Sequence, residues 1–390
     1  MTVDVPSTVA PSVIAPLVIA PLVIGAGPAG TAAAITLARA GHRPTLIERN
    51  TGPTDKVCGD FLSIDAIQQG HALGVDFAAL GAAAIHRIRV VHRDRVVDTL
   101  LPFPALGLSR RTLDAALLRL AVNAGAVVHT GQTVRHLSPQ ADRWRVQTGS
   151  QVLDAATVFL ATGKHDLRDA PRRRDDQGAI GMKMYLALAA EPAKALQGAT
   201  ELTLFRGGYA GMQCVENGRV VLCVAVKKPA FAACGADWSG LITTIGQSSR
   251  RFAAMMAGSR PLLPRPLAVA GIPYGYQARQ MATRRGLFRL GDQAAVIPSL
   301  TGDGMAIALY SGQQAARAWL TDHDAAAYQR SLAQTLTPQM RLAGLLHGAG
   351  MNALTQTAAI PILRWFPGLL RHAASRTRLP NVADGVPRIV

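Results

Sequence analysis

Residues Gly25-Ala26-Gly27-Pro28-Ala29-Gly30 constrain this chain more than any other segment. The apolar run that ends in Leu22-Val23-Ile24 has no polar alternation, as expected of a buried parallel strand. Thr31 to Ala40 reads as an Ala- and Leu-rich helix stopped by Gly41. Pro44 to Glu48 reads as a second buried strand, so the chain opens with a βαβ unit. Each glycine of the turn has its own task. Gly25 permits the tight bend, Gly27 lets backbone approach a pyrophosphate, and Gly30 lets the helix meet the strand closely. The pyrophosphate then sits at a helix N-terminus, where free N–H groups and the dipole favour an anion. A lone G-x-G-x-x-G is a weak signal. This one follows a strand, opens a helix and precedes Glu48 by eighteen positions, where a carboxylate can accept hydrogen bonds from a ribose diol.

Beyond this unit, Arg49 to Asp60 is a loop and a helix follows to Leu73. Ile85 to Leu100 alternates like a hairpin with the charged turn His92-Arg93-Asp94-Arg95 at its middle. Arg110 to Gly125 is a helix, Ala126 to Trp144 holds short strands, and Ala156 to Ala161 is another buried strand. Gly181 to Val226 alternates around turns at Gly207-Gly208 and Asn217-Gly218, which predicts a sheet. Leu287 to Asp292 is a short strand, Thr301 to Leu320 a helix, and the chain from Asp324 is mostly helical. The predicted class is α/β, with a discontinuous nucleotide domain (15–82, 107–170 and 280–322), a sheet domain (83–106 and 171–279) and a helical C-terminal region (323–390).

The chain of 390 residues is long for one core, and its net charge of +17 comes mostly from arginine. Such a charge attracts anions, but no helix-turn-helix, zinc knuckle or ribonucleoprotein motif accompanies it, so nucleic acid is not expected as a partner. Cys58, Cys214, Cys223 and Cys234 form no CxxC pair and no His cluster has ligand spacing, which predicts free thiols in a reducing cytoplasm and no metal. The apolar N-terminus is interrupted by Pro11, Pro16 and Pro21 and lacks a basic n-region and a cleavage site. It reads as a loose tail before the first strand.

The segment VIGAGPAGTAAAITLARAGHRPTLIER resembles the start of glutathione-reductase-type FAD proteins, and most closely the p-hydroxybenzoate-hydroxylase-like monooxygenases and geranylgeranyl-reductase-like enzymes. Arg110-Arg111-Thr112-Leu113-Asp114 resembles the family's R-x-x-[FL]-D helix start, whose Arg, here Arg110, contacts FAD in relatives. Val134 resembles the residue whose backbone meets adenine, and 157–163, ending in Gly163, the family's strand-plus-ATG segment. GDQAAVIPSLTGDGM (291–305) resembles the second FAD fingerprint. The resemblance implies a Rossmann FAD domain with an inserted β-sheet substrate domain and a helical tail. FAD is then held at Gly25, Gly27, Pro28, Ala29, Gly30, Glu48 and Arg49, and at Gly291, Asp292, Pro298, Gly302, Gly304 and Met305. Asp292 would accept from a ribityl hydroxyl, and the helix opening at Met305 would face the flavin N1–C2=O edge with its positive dipole. KVCGDFLS (56–63) resembles a stretch of the geranylgeranyl reductase group, which implies that Cys58 lines the active site; a lone buried cysteine is more often a small apolar residue of the core. Lys56 and Asp60 read as loop charges or cofactor contacts.

Aromatic hydroxylases of this family carry an Asp-Gly pair after the strand at 156–161, and this chain has Ala161-Thr162-Gly163-Lys164-His165 there. NAD(P)H as electron donor therefore rests on Lys164, His165 and Arg168, with a separate reductase as the alternative. Met182, Met184, Tyr185, Tyr209, Met212 and Tyr274 are expected to form the substrate pocket or plain core. Ile362 to His372 is basic, aromatic and amphipathic, and reads as a docked helix or as a peripheral membrane contact. The expected activity is that of an FAD-dependent monooxygenase acting through a C4a-peroxyflavin on an apolar, aromatic or polyketide-like small molecule. The alternatives are a flavin reductase of isoprenoid double bonds and a flavoprotein that modifies another protein.

Overall fold

The computed structural model describes residues 17–19, 21–149, 151–172, 179–278 and 285–380. A parallel sheet runs in the order Leu287–Arg289, Val158–Leu160, Leu22–Ile24, Thr45–Ile47, Val127–His129. Its strands lack polar alternation because both faces are covered. Val23, Leu46, Phe159 and Phe288 pack on one side with the helices Pro28–Arg39, Arg110–Asn123 and Gly304–Leu320. Leu22, Ile24, Ile47, Val158, Leu160 and Leu287 pack on the other against Val134, Leu137, Trp144, Val146 and Leu153 of a small four-stranded sheet. Leu17–Ile19, expected within a loose tail, instead adds a strand to that small sheet, parallel to Val152–Ala155.

The largest sheet has nine strands among the described residues. The hairpin Ala83–His92 and Arg95–Gly107 joins it through a parallel pairing of Ala83–His92 with Ala199–Phe205. The antiparallel strands Gly208–Cys214, Val220–Val226 and Ile180–Ala187 follow. Helices Trp238–Ser248 and Arg250–Met256 cover its outer face over Met182, Met184, Leu186, Met212 and Leu222. The opposite face looks toward the nucleotide domain, and the C-terminal helices Ala353–Trp365 and Gly368–Arg376 close that side against the hairpin, while Ala325–Gly350 packs on Leu287–Arg289, Ser299–Thr301 and Gly304–Leu320.

Helices Pro28–Arg39 and Gly304–Leu320 cross where side chains are absent. A Cβ on Gly312 would stand 2.2 Å from the carbonyl oxygen of Ala29, and one on Gly30 would stand 1.9 Å from that of Gly25. Backbone therefore meets backbone, and neither neighbour can swing aside. Gly312→Val should lower stability by about 1–3 kcal/mol through overpacking. It should also weaken cofactor retention, because the displaced helix carries the G-x-G-x-x-G turn. A guanidinium melt of the variant against wild type, with flavin content measured in parallel, checks both effects.

Candidate active site

The G-x-G-x-x-G turn lies between the strand Leu22–Ile24 and the helix Pro28–Arg39. Gly25 has φ +105°, and a Cβ there would meet the Ala161 carbonyl at 2.4 Å. Gly27 differs: among the described residues a Cβ on it would touch only the Arg110 guanidinium, at 3.6 Å. The missing side chain thus leaves open space at a helix N-terminus, the fit a pyrophosphate requires. Glu48 ends the next strand, and its carboxylate accepts from the Ala26 N–H (2.9 Å), the Asn50 N–H (3.0 Å) and the Asn50 side-chain amide (2.6 Å). A carboxylate offers about four lone-pair positions, so capacity remains for a ribose hydroxyl. Arg49 is exposed and meets the His165 ring at 2.7 Å. Val134 opens the edge strand of the small sheet and lies away from the main cavity.

That cavity has a volume of about 400 Å³ and connects the two fingerprint segments to the largest sheet. Gly27, Pro28, Ala29, Arg110, Gly163, Gly291, Asp292, Gly302, Gly304 and Met305 line one end. Arg110 is held by a bidentate pair to Asp114 (2.9 and 2.8 Å), which lifts the guanidinium pKa against the opposing effect of burial. Its helix is capped by Ser109, which accepts from the Thr112 N–H. Gly302 takes φ +74°, and a Cβ there would strike the Phe61 ring at 2.6 Å. No described residue would meet a Cβ on Gly304 within 4 Å, so this loop too leaves room for a flat group. Asp292 is partly exposed and pairs with Lys164 at 3.5 Å, while Pro298 caps the turn Ser299–Thr301 without reaching the cavity. Of the residues weighed for a dinucleotide phosphate, Lys164 and His165 therefore already have protein partners, and Arg168 is exposed.

The pocket residues separate by strand periodicity. Met182, Met184 and Met212 face the outer core beneath the helices and do not reach the cavity, a correction to the sequence expectation. On the strand Ile180–Ala187 the other register, Gly181, Lys183 and Tyr185, faces inward; Gly181 lines the cavity. Tyr185 is corrected too: fully buried, it donates to Asp60 (2.6 Å) rather than facing a substrate. Tyr209 and Tyr274 line the cavity, and both phenols bond the Ser299 hydroxyl, at 2.7 and 2.8 Å. Burial pushes both phenol pKa values up. His347 lies edge-on to both rings, and burial pulls its imidazole down to about 4. Cys58 is on the cavity wall, its Sγ accepting from the Asp60 N–H at 3.4 Å.

Two further groups escaped the sequence reading. Lys183 donates to Asp60 at 2.6 Å with both side chains fully buried. Burial pushes the Asp60 carboxyl up and Lys183 draws it back down. The only signal was a lysine in an otherwise apolar strand. Asp303, between the two glycines of the second fingerprint, is buried against Arg378 of the C-terminal segment. No local pattern links residues this far apart.

Gly27→Leu should abolish FAD uptake while leaving the fold intact, since a side chain there meets little but the incoming ligand. Glu48→Ala should weaken FAD by about 1–3 kcal/mol, the loss of a charged hydrogen bond. Flavin absorbance after reconstitution reads both. Burial raises the Asp303 carboxyl to about 7, opposed by the Arg378 charge. The folded state then keeps a proton that the unfolded chain releases near its ordinary pKa of about 3.9. Stability should accordingly fall as pH rises from about 4 to about 7 and then level off. Melting curves across that range should show this slope in wild type and its loss in Asp303→Asn.

Comparison with known proteins agrees with this geometry. Residues 20–62 match the family model described as pyridine nucleotide-disulphide oxidoreductase. The menaquinone reductase of Mycolicibacterium smegmatis is 27% identical over 312 residues, 75% of this chain and 74% of the relative. The menaquinone reductase of Mycobacterium tuberculosis is 27% identical over 308 residues, with the same coverage. Among solved structures, the flavin-dependent brominase Bmp2 superposes with a TM-score of 0.75 at 16% identity, covering 91% of this chain and 92% of the brominase. A geranylgeranyl bacteriochlorophyll reductase-like protein from Thermoplasma acidophilum gives 0.73 at 16% identity, covering 92% and 96%. With its nucleotide turn, second fingerprint and cavity in this arrangement, the chain is an FAD-dependent oxidoreductase with the fold that these flavin enzymes share.

Proposed function

We propose that this oxidoreductase reduces a carbon–carbon double bond in a lipophilic, isoprenoid-type molecule that carries a polar ring or headgroup. The carrying observation is the distribution of polarity in the cavity. Ile88, Val90, Leu101, Phe103, Leu202 and Leu204 make a long apolar wall, while Cys58 and the Tyr209–Ser299–Tyr274 group stand near the cofactor end. Such a wall accepts a hydrocarbon body and excludes water, and a few convergent hydroxyls orient one polar end. The curated relatives that match along three-quarters of the chain are named for reducing menaquinone, a molecule of this class.

FAD, when bound and reduced, supplies a hydride equivalent at this site. The rest falls to the protein. Gly27 and the helix behind it hold the pyrophosphate, and the Gly302–Gly304 backbone leaves room for the ring system. Tyr209 and Tyr274 stay protonated at neutral pH, so each can donate to a substrate oxygen in place of Ser299. In this reading the Cys58 thiol, on the cavity wall, gives the proton that completes addition of two hydrogens across the double bond. The cavity is roofed by the C-terminal helices, and no observation favours another protein as substrate.

A second reading, an FAD monooxygenase acting on an apolar aromatic molecule, keeps support from the fold shared with the brominase and from the same water-excluding wall. In either reading the Asp-Gly pair is missing after the strand Val158–Leu160, so NADPH should reduce the isolated protein slowly and a separate reductase is the proposed electron donor.

The two readings separate in one experiment. Protein reduced by dithionite under anaerobic conditions is mixed with a detergent-dispersed menaquinone, and the product is weighed by mass spectrometry after re-exposure to air. A product heavier by two hydrogens supports double-bond reduction, because a reduced quinone ring would return to its starting mass. Cys58→Ala should slow that step at least about tenfold at unchanged flavin content. No saturated product anaerobically, with oxygen incorporated once air is admitted, would overturn the proposal in favour of the monooxygenase.

A further inference from the structure

The last helices of the described chain have two unlike faces. In Ala353–Trp365, Gln356 and Ile360 are buried and Leu363 reaches the cavity. The Gln356 amide donates to the carbonyls of Phe205 (2.8 Å) and Gly350 (2.7 Å), which pins the helix to the sheet. In Gly368–Arg376, Leu370, Ala373 and Ala374 line the same cavity. The outward side is apolar as well. Leu354 is 82% exposed, Trp365 83%, Phe366 64%, Ile362 51% and Leu369 50%, and Leu345 on the preceding helix is 74% exposed. At about 100° per residue, Leu354, Ile362 and Trp365 fall within about 80° of one another and opposite Gln356, Ile360 and Leu363. Single exposed apolar residues are ordinary; a run of them on consecutive helices marks an interaction surface.

The charge of this region says what covers it. Between Asp324 and Asp384 the sequence has no acidic residue, and it has arginines at 330, 341, 364, 371, 376 and 378. Arg378 is engaged by Asp303, whereas the other five are exposed. Exposed aromatic side chains on a segment whose exposed arginines have no counter-charge among the described residues complement an anionic lipid surface, where the rings settle at headgroup level and the guanidinium groups meet phosphates. No described helix is long and apolar enough to cross a membrane, so such contact would be in the plane of the interface.

We infer that Leu354, Ile362, Trp365, Phe366 and Leu369, with Arg364 and Arg371, form a docking surface for an anionic bilayer leaflet. The two helices that carry this surface also line the cavity, and on the proposed function this gives a lipophilic substrate a route from the bilayer to the site.

The test uses the full FAD-loaded chain and vesicles of phosphatidylcholine with or without phosphatidylglycerol, pelleted at low and high salt. Binding should be at least about tenfold tighter to the phosphatidylglycerol vesicles and should weaken with salt. The exposed double variants Trp365→Ser/Phe366→Ser and Arg364→Glu/Arg371→Glu should each lose at least about tenfold, with flavin content and melting temperature unchanged. This readout does not involve turnover, so it stands or falls apart from the proposed reaction. Failure of wild type to bind phosphatidylglycerol vesicles, or undiminished binding by both variants, would overturn it. So would a stable dimer that the same substitutions dissociate while vesicle binding is unaffected, because the patch would then be covered by a second copy of the chain.

Discussion

Everything at the cofactor end depends on a close approach of backbone to backbone. The first turn of Pro28–Arg39 presses against the strand end through Gly25 and Gly30, and Gly312 of the neighbouring helix presses against Ala29. At these points a side chain would stand closer than real Cβ atoms come to another atom. With the helices so near, Pro28–Arg39 and Gly304–Leu320 both begin on the wall of one cavity. Two positive helix ends then act on the same volume, and a low-dielectric surround strengthens their field there. That suits a pyrophosphate at one end and a reduced flavin ring bearing negative charge at the other.

The sheet domain is set above this site by buried polar contacts rather than by apolar packing alone. Asp60 belongs to the loop that carries Cys58, and Lys183 and Tyr185 belong to the large sheet. Asp60 takes φ +56°, a conformation uncommon for a residue with a side chain, and it is held there by three partners: Lys183, Tyr185 and the Arg110 N–H. Removing one member of a buried ion pair typically costs about 3–5 kcal/mol, because the survivor keeps its desolvation penalty. The pair thus fixes one geometry more than it adds stability, and the Cys58 thiol inherits its position. Glu216 makes a second tie, accepting from the N–H of Ser109 and the hydroxyl of Thr112 at the head of the Arg110 helix. The roof is tied to the cofactor loop through Arg378 to Asp303, and to the helix Ile64–Ala72 through the Leu379 N–H to Asp65.

Some of this was legible along the chain. The G-x-G-x-x-G turn, the strands around it and the hairpin at Arg93-Asp94 are local patterns, and local sterics set them. The substrate side was less legible. Alternation along Ile180–Ala187 was visible, but alternation alone does not say which register faces a ligand. The methionines fell to the outer core because amphipathic helices cover that face, and those helices come from residues 238–256.

By itself the sequence determined that the chain would hold an adenine dinucleotide. Glycine positions, helix start and terminal carboxylate lie within one short stretch, and their spacing is dictated by backbone geometry. Only the tertiary structure decided where the rest of the chemistry sits. Tyr209, Tyr274 and Ser299, or Asp303 and Arg378, lie 25 to 90 positions apart and meet because separate elements pack together. Nothing in the local pattern of either partner encodes the other, since burial and charge pairing act through space and not along the chain.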